Sequence, residues 1–147
     1  MKNVIIIAAL FLLSAITIQA QEYAVITTVE SIVPAGLGRS RMISNKEDLN
    51  TADYTTARTD GKKSDMGSVK RRDLKIENFE ETKMLNFFSA TGINFQNIAS
   101  NDAMISSKLN EMAAAGWTLA FVTAGVESNA GVDDGEGIFI TRYIFRR

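Results

Sequence analysis

The segment with the clearest chemical potential in this sequence is residues 36–41, which read Gly-Leu-Gly-Arg-Ser-Arg. Two glycines free the backbone to expose N–H groups, and arginines two positions apart can form a fork around a carboxylate or phosphate. The segment has neither the third glycine of a dinucleotide-binding loop nor the Gly-Lys-Ser/Thr of a P-loop. It predicts either an anion site at Arg39, Ser40 and Arg41 or a strand-to-strand turn whose arginines lie in solvent.

A second group of candidate residues lies in the glycine-rich segment 125–137, whose carboxylates are Glu127, Asp133, Asp134 and Glu136. Carboxylate oxygens are preferred ligands of Ca²⁺, but the spacing differs from the Asp-x-Asp-x-Asp-Gly pattern of an EF-hand loop. The segment therefore predicts a solvated hairpin loop, with a divalent-metal site as the alternative.

Several classes of catalysis are excluded, because the 147 residues include no histidine and no cysteine. This removes Ser-His and Cys-His nucleophiles, imidazole and thiolate metal ligands, and disulfides. The Ser-x-x-Lys signature of serine–lysine acyl enzymes does not occur either. No cofactor is expected, and the enzyme hypothesis that remains is a small hydrolase that depends on carboxylates or on a divalent ion.

The element that organises the C-terminal third is an amphipathic helix. Asn101 and Asp102 are its expected N-cap residues, since a short side-chain oxygen can accept a hydrogen bond from a free N–H of the first turn. Gly116 is expected to end the helix in a left-handed conformation, with Trp117 folding back onto the last turn. Apolar residues follow the cap at helical spacing: Met104, Ile105, Leu109 and Met112.

After Trp117 the hydrophobic period changes from about 3.6 to 2, which predicts a strand, the acidic loop and a closing strand over residues 138–147. Leu109-Asn110, Gly116-Trp117-x-Leu119 and the closing Tyr143-x-x-x-Arg147 together resemble a small bacterial domain family of unknown function. Members of that family have a Leu-Asn…Gly-Trp-Glu-Leu signature between a first strand and a last strand that ends in a basic residue. The resemblance covers residues 109–147 and a first strand, with Thr118 standing where the family has glutamate. It implies a fold and no activity.

The remaining strands are predicted from alternation. Residues 23–29 read as a first strand and residues 83–89 as another, followed by an extended approach to the helix over 93–99. The fold class expected is α+β, with an antiparallel sheet of about four strands, one long helix packed on a face and a mobile polar insertion. Four amides in the last apolar run are expected to bond loop backbone, with a ligand-reading cluster as the alternative: Asn86, Asn94, Gln96 and Asn97.

Residues 45–82 are almost all polar and are interpreted as that insertion, with one short helix near 46–54. Between positions 58 and 75 there are seven basic and three acidic side chains, a net charge of +4. This stretch is interpreted as solvated chain, or alternatively as a docking loop for an acidic partner or a lipid headgroup surface. It contains no aromatic residue on which a base could stack, which argues against nucleic acid.

The N-terminus has the pattern of a secretory signal peptide: Lys2, an apolar run over residues 4–18 and the small residue Ala20. Residues 1–20 are therefore expected to be removed, leaving one domain over 21–147 in the periplasm or secreted, without a transmembrane span. An uncleaved anchor is the alternative.

The last strand is apolar on both sides, with Ile138, Ile140 and Ile144 on one and Phe139, Tyr143 and Phe145 on the other. One helix can cover only one face. The second face is expected to be covered by the segment 87–95, or else by a second copy in a homodimer, with a partner as a further alternative. The function expected is an exported non-catalytic binding or structural module for a protein or small ligand, with the hydrolase and an anion-binding domain using Arg39 and Arg41 as alternatives.

Overall fold

The computed structural model describes residues 20–31, 40–58, 60–89, 91–126 and 138–147. Its elements in chain order are β1 (Tyr23–Ser31), β2 (Arg41–Asn45), β3 (Phe79–Lys83), β4 (Phe88–Ser89), β5 (Gly92–Ile93), α1 (Phe95–Ala114), β6 (Thr118–Val126) and β7 (Ile138–Arg146). Five strands form one antiparallel sheet in the order β3-β2-β1-β7-β6, and β4 and β5 form a separate two-stranded sheet. The α+β class with an antiparallel sheet is confirmed.

The sheet has one strand more than expected, because β3 lies within the segment interpreted as polar insertion. Its sequence is Phe-Glu-Glu-Thr-Lys, and all five residues are exposed. It therefore shows no alternation of buried and polar positions from which a strand could be read. Backbone pairing with β2, from Arg41 opposite Lys83 to Asn45 opposite Phe79, holds it in the sheet.

The hydrophobic core lies between α1 and one face of the sheet, which we call the helix-covered face. Its buried hydrophobic residues are Ile26, Met42, Met84, Met112 and Phe145, with Ile105 and Leu109 of α1 packed against them. Burying a side chain of this size stabilises a fold by roughly 1.5–3 kcal/mol relative to leaving it in water. Within the described ranges, no helix is both long and apolar enough to cross a membrane.

The helix starts seven residues earlier than a cap at Asn101 would give. The N-cap is Asn94, whose Oδ1 accepts a hydrogen bond from the Asn97 N–H at 3.1 Å, and the first helical residue is Phe95. The expectation of an extended segment over 93–99 is therefore wrong. Asn suits an N-cap and also a buried amide site, so local preference alone does not distinguish Asn94 from Asn101.

The end of α1 is a Schellman motif. Gly116 has φ of 84°, its N–H donates to the Ala113 carbonyl at 3.0 Å, and the Trp117 N–H donates to the Met112 carbonyl at 3.0 Å. The indole of Trp117 is partly buried against the core cluster that contains Met112. The chain then enters β6 at the next residue, so this turn sets the direction of the β6–β7 hairpin.

The segment between β3 and α1 runs along the helix-covered face. Phe87 donates its N–H to the Ser31 carbonyl at 3.1 Å, and its ring lies 5.6 Å from the ring of Phe139. Phe139 pairs with Glu30 across β1, so both belong to the same side of the sheet as the core. Ile93 is 55% exposed and Phe95 77% exposed. The expected cover of the second face by residues 87–95 is therefore wrong.

Of the four amides expected to bond backbone, Asn94 and Asn97 do so, whereas Asn86 Oδ1 bonds a side chain and Gln96 is exposed. Asn97 Nδ2 donates to the Asn86 carbonyl at 2.8 Å, and Asn86 Oδ1 accepts from the Ser40 hydroxyl at 2.7 Å. The expected strand over 83–89 is replaced by the end of β3, a crossing segment and β4.

Residues 46–78 form an excursion between the paired residues Asn45 and Phe79. The excursion is closed at its base by a hydrogen bond from the Lys46 N–H to the Asn78 carbonyl at 3.3 Å. In place of the expected short helix near 46–54 there is a 3-10 turn, Thr51–Tyr54, and the Tyr54 hydroxyl donates to the Asp73 carbonyl at 2.9 Å. The described part of this excursion contributes no residue to the buried core.

Limited trypsin digestion of the folded protein is expected to cut first in this excursion, at Lys62, Lys63 or within residues 70–72. These residues are exposed and have few contacts outside the excursion, whereas the basic residues of β7 lie in a paired strand. Mass spectrometry of an early time course identifies the first cut. A first cut in β7 or α1 would contradict the description of this excursion as peripheral to the fold.

Candidate functional site

The face of the sheet opposite α1, which we call the open sheet face, is rich in large apolar side chains. Strand register places on it Val25, Val29, Ile43, Phe121, Ile138, Ile140 and Ile144. None of these seven is among the buried hydrophobic residues; Val25 is 44% exposed, Phe121 is 69% exposed, and the other five are partly buried. A sheet that simply faces water on one side normally has polar residues there. A contiguous apolar surface of this kind is typical of a binding site.

The open sheet face is also basic. It has Arg41, Lys83, Arg142 and Arg146 against one acid, Glu81, a net charge of +3, although the whole chain has a net charge of −1. Arg41 forms an ion pair with Glu81. Among the residues that the structure describes, no carboxylate pairs with Arg142 or Arg146. These two guanidinium groups are therefore available to a ligand or partner.

A groove of about 300 Å³ lies where β6 meets β7, lined by Thr123, Ala124, Gly125, Val126, Ile140 and Arg142. Gly125 pairs with Ile140, and nothing lies within 4 Å of the position that a Cβ on Gly125 would occupy. Along β7, Arg142 stands between Ile140 and Ile144 on the same face. The groove thus offers one cation flanked by apolar walls, an arrangement that suits an amphiphilic anionic group.

A larger cleft, of about 740 Å³, lies beside the N-terminal end of β1. It exists because β2 pairs with β1 only as far as Ile26 opposite Ser44 and then turns away. Arg147 lies on its wall, 4.4 Å above the Trp117 ring and 2.6 Å from Glu22 through Nη2. The cation–π contact and the ion pair already engage the Arg147 guanidinium. The cleft therefore presents a concave surface with an aromatic wall to a ligand, and not an unpaired charge from Arg147.

A polar cluster lies on the helix-covered face at the junction of β1, β7 and α1. The Glu30 Oε1 accepts a hydrogen bond from Asn101 Nδ2 at 2.9 Å. Burial raises the pKa of Glu30; the bond from Asn101 opposes the rise and the nearby Asp102 carboxylate adds to it. Burial likewise raises the pKa of Tyr143, with Thr28 opposing the rise and both carboxylates adding to it.

Glu30→Gln is expected to change the free energy of unfolding more favourably at neutral pH than in acid. Folding raises the pKa of Glu30 above its ordinary value of 4.5. The stabilisation that Glu30 contributes to the folded state is therefore fully present below pH 4.5 and is lost as the pH rises through the pKa of the folded protein. Glutamine keeps the acceptor for Asn101 without the charge. Urea melts of both proteins between about pH 4 and pH 7 measure the difference. A difference that is constant with pH, or as large for Glu111→Gln on the exposed side of α1, would contradict a raised pKa at Glu30.

Of the three predicted anion-binding residues, the structure describes two, Ser40 and Arg41. Ser40 is buried, where its hydroxyl accepts from the Ser31 N–H at 2.9 Å and donates to Asn86. Arg41 lies on the open sheet face with Glu81, because successive strand residues point to opposite faces. Arg39 lies outside the described residues, as do all four predicted metal ligands: Glu127, Asp133, Asp134 and Glu136. Both sites therefore stay predictions.

Apart from Arg41, the residues that define the open sheet face were not singled out as a site by the sequence. The signal that points to them is the composition of β7, which has large apolar residues on both sides with Arg142 among them. Comparisons of the chain with protein-family models, with curated proteins and with solved structures found no match.

Proposed function

We propose that this chain is an exported, non-catalytic binding module and that its open sheet face binds the partner. The observation that supports the proposal is the row of partly exposed isoleucine and valine side chains on the face of the sheet opposite α1, outside the buried core. Exposed apolar surface of this extent is costly in water unless something binds it. The exposed apolar face is therefore expected to bind a partner.

Charge on the open sheet face specifies the chemistry of the partner. A binding surface should be complementary in potential, so a face of charge +3 is suited to an apolar surface with acidic or other anionic groups. Arg142, between two isoleucines, is the group expected to select for an anion. The partner is either a protein with such a surface or a small amphiphilic anion.

Site-specific photo-crosslinking in cells of the native host tests the proposal. A photoreactive residue at Ile140, on the open sheet face, is expected to give a discrete adduct. The matched position is Ser106, which is exposed on α1. Adducts of equal yield at both positions, or none at Ile140, would overturn the assignment of this face as the binding site.

Export is expected to leave a mature protein that starts at or near Gln21. The apolar run over residues 4–18 is short for a membrane span and is followed by the small residue Ala20. N-terminal sequencing of the protein from fractionated cells checks the cleavage. Recovery of chains that begin at Met1 in the cytosol would contradict it.

A carboxylate-dependent hydrolase is the alternative function, and the raised pKa of Glu30 beside Asp102 is the observation in its favour. Two facts favour binding instead. Glu30 is held by Asn101 at the junction of helix and sheet, and it lines neither the cleft nor the groove. A general acid must reach its substrate within hydrogen-bond distance.

A further inference from the structure

The two outer strands of the sheet are protected very differently. β3 is five residues long and has Glu80, Glu81 and Lys83, charges that oppose pairing with another chain. β6 is nine residues long and reads Thr-Leu-Ala-Phe-Val-Thr-Ala-Gly-Val, without a charged residue or a proline. Natural sheets usually guard a long edge with such residues, so an unguarded edge of this length indicates a strand that pairs with something.

Along the outer side of β6, a regular row of backbone groups has no hydrogen-bond partner among the residues that the structure describes. Glu22 and Arg147 exchange both backbone hydrogen bonds, at 3.0 and 3.1 Å, which fixes the alternation along β7. In that alternation the residues of β6 bonded to β7 are Phe121, Thr123 and Gly125, opposite Ile144, Arg142 and Ile140. The N–H and C=O groups of Val122, Ala124 and Val126 therefore point away from the sheet, ready to pair.

Large apolar side chains of this edge lie on both faces of the sheet, although Thr118 and Thr123 share the open sheet face with Phe121. Phe121 is 69% exposed on the open sheet face, while Leu119, Val122 and Val126 are 42%, 53% and 62% exposed on the other. A strand that pairs here must present apolar side chains on both of its faces as well. β6 itself meets that requirement.

We propose that β6 pairs antiparallel with β6 of a second copy across a two-fold axis, forming one continuous ten-stranded sheet. A strand related to itself by a two-fold axis is its own complement, and such an interface closes after two chains. The outer edges of the dimer are then two charged β3 strands, which limit further growth. The open sheet faces of the two copies become one surface.

Stacking the open sheet faces on each other is the less favourable dimer. It would bring a charge of +3 against +3 in an interface from which water is removed. Edge pairing leaves Arg142 and Arg146 in solvent and available to a partner. The inference stands on β6 alone and does not depend on the proposed function.

Single cysteines test the pairing directly, because the chain has none of its own. Cysteine is placed in turn at Ala120, Val122, Thr123 and Ala124, and as a control at Thr82 on the exposed β3 edge. Oxidation followed by non-reducing electrophoresis is expected to give a disulfide-linked dimer at one or two adjacent β6 positions and none at Thr82. Cross-linking at Thr82 alone, or at none of the five positions, overturns the proposal.

Light scattering after size-exclusion chromatography gives the second arm. The unmodified protein is expected to have the mass of two chains, and Ala124→Lys the mass of one with an unchanged circular dichroism spectrum, since Ala124 is exposed within one chain. The matched variant Thr82→Lys is expected to stay dimeric. A single-chain mass for the unmodified protein at every concentration, or a dimer that Ala124→Lys does not weaken, overturns edge pairing. This result is independent of the photo-crosslinks at Ile140, which test the proposed partner-binding face.

Discussion

Replacing Asn101 with alanine is expected to lower the free energy of unfolding by about 3–5 kcal/mol, because buried backbone groups left without partners cost about 1–3 kcal/mol each. Asn101 is fully buried in the second turn of α1. Its Oδ1 accepts from the Leu85 N–H at 2.9 Å, and its Nδ2 donates to the Leu85 carbonyl at 2.8 Å. The side-chain amide thus bonds both backbone groups of Leu85, as a neighbouring strand would. It holds the segment after β3 against the helix.

Two further variants separate this role from a general effect on the helix. Asn110→Ala changes an exposed residue of the same helix and is expected to change stability by less than about 0.5 kcal/mol, as is usual at such surface sites. Asn101→Asp keeps an acceptor for Leu85 but removes the donor and adds a charge beside Glu30, so it should be nearly as damaging as alanine. Urea melts at neutral pH measure all three. An Asn101→Ala loss no larger than that of Asn110→Ala would show that Leu85 is not held in this way.

The parts of the fold that could be predicted from the sequence are those fixed by neighbouring residues. Gly116 adopts a positive φ because the hydrogen bonds of the Schellman motif form within six consecutive residues. The end of α1 can therefore be predicted from the local sequence. The change from helical to strand period after Trp117 is equally local. The β6–β7 hairpin follows from both.

The start of α1 and the position of β3 depend on distant residues. Asn101 is not a cap because Leu85, sixteen residues earlier, occupies its amide, and that contact has no local signature. β3 has an exposed, charged sequence and is a strand only because β2 lies beside it. Tertiary pairing overrides local preference at both places.

The open sheet face shows how far the sequence can go toward a binding site. Alternation in β7 shows that both of its sides are apolar, but alternation does not say which segment covers which side. Phe87 reaches the helix-covered face because it follows directly from the segment that Asn101 ties to α1. The isoleucines of the other face are for that reason only partly buried among the described residues.

Phe145→Ala and Phe121→Ala are expected to differ by several kcal/mol, although the chemical change is the same. Phe145 is 1% exposed beneath α1, and deleting a core phenylalanine typically costs about 3–5 kcal/mol. Phe121 is 69% exposed at the edge of the open sheet face, so its removal from a single chain should cost less than about 1 kcal/mol. Urea melts of the two variants in an Ala124→Lys background, which is designed to suppress edge pairing, make the comparison within one chain.

The comparison has one outcome that would remove the basis of the binding proposal. If Phe121→Ala is as damaging as Phe145→Ala in that background, the open sheet face is covered within the single chain, and its apolar residues need no partner. If Phe121→Ala has little effect on the stability of single chains but weakens the dimer, the Phe121 side chain stabilises an interface and not the core of one chain. Exposed apolar surface that contributes to stability only when a second surface is present is what a binding site requires.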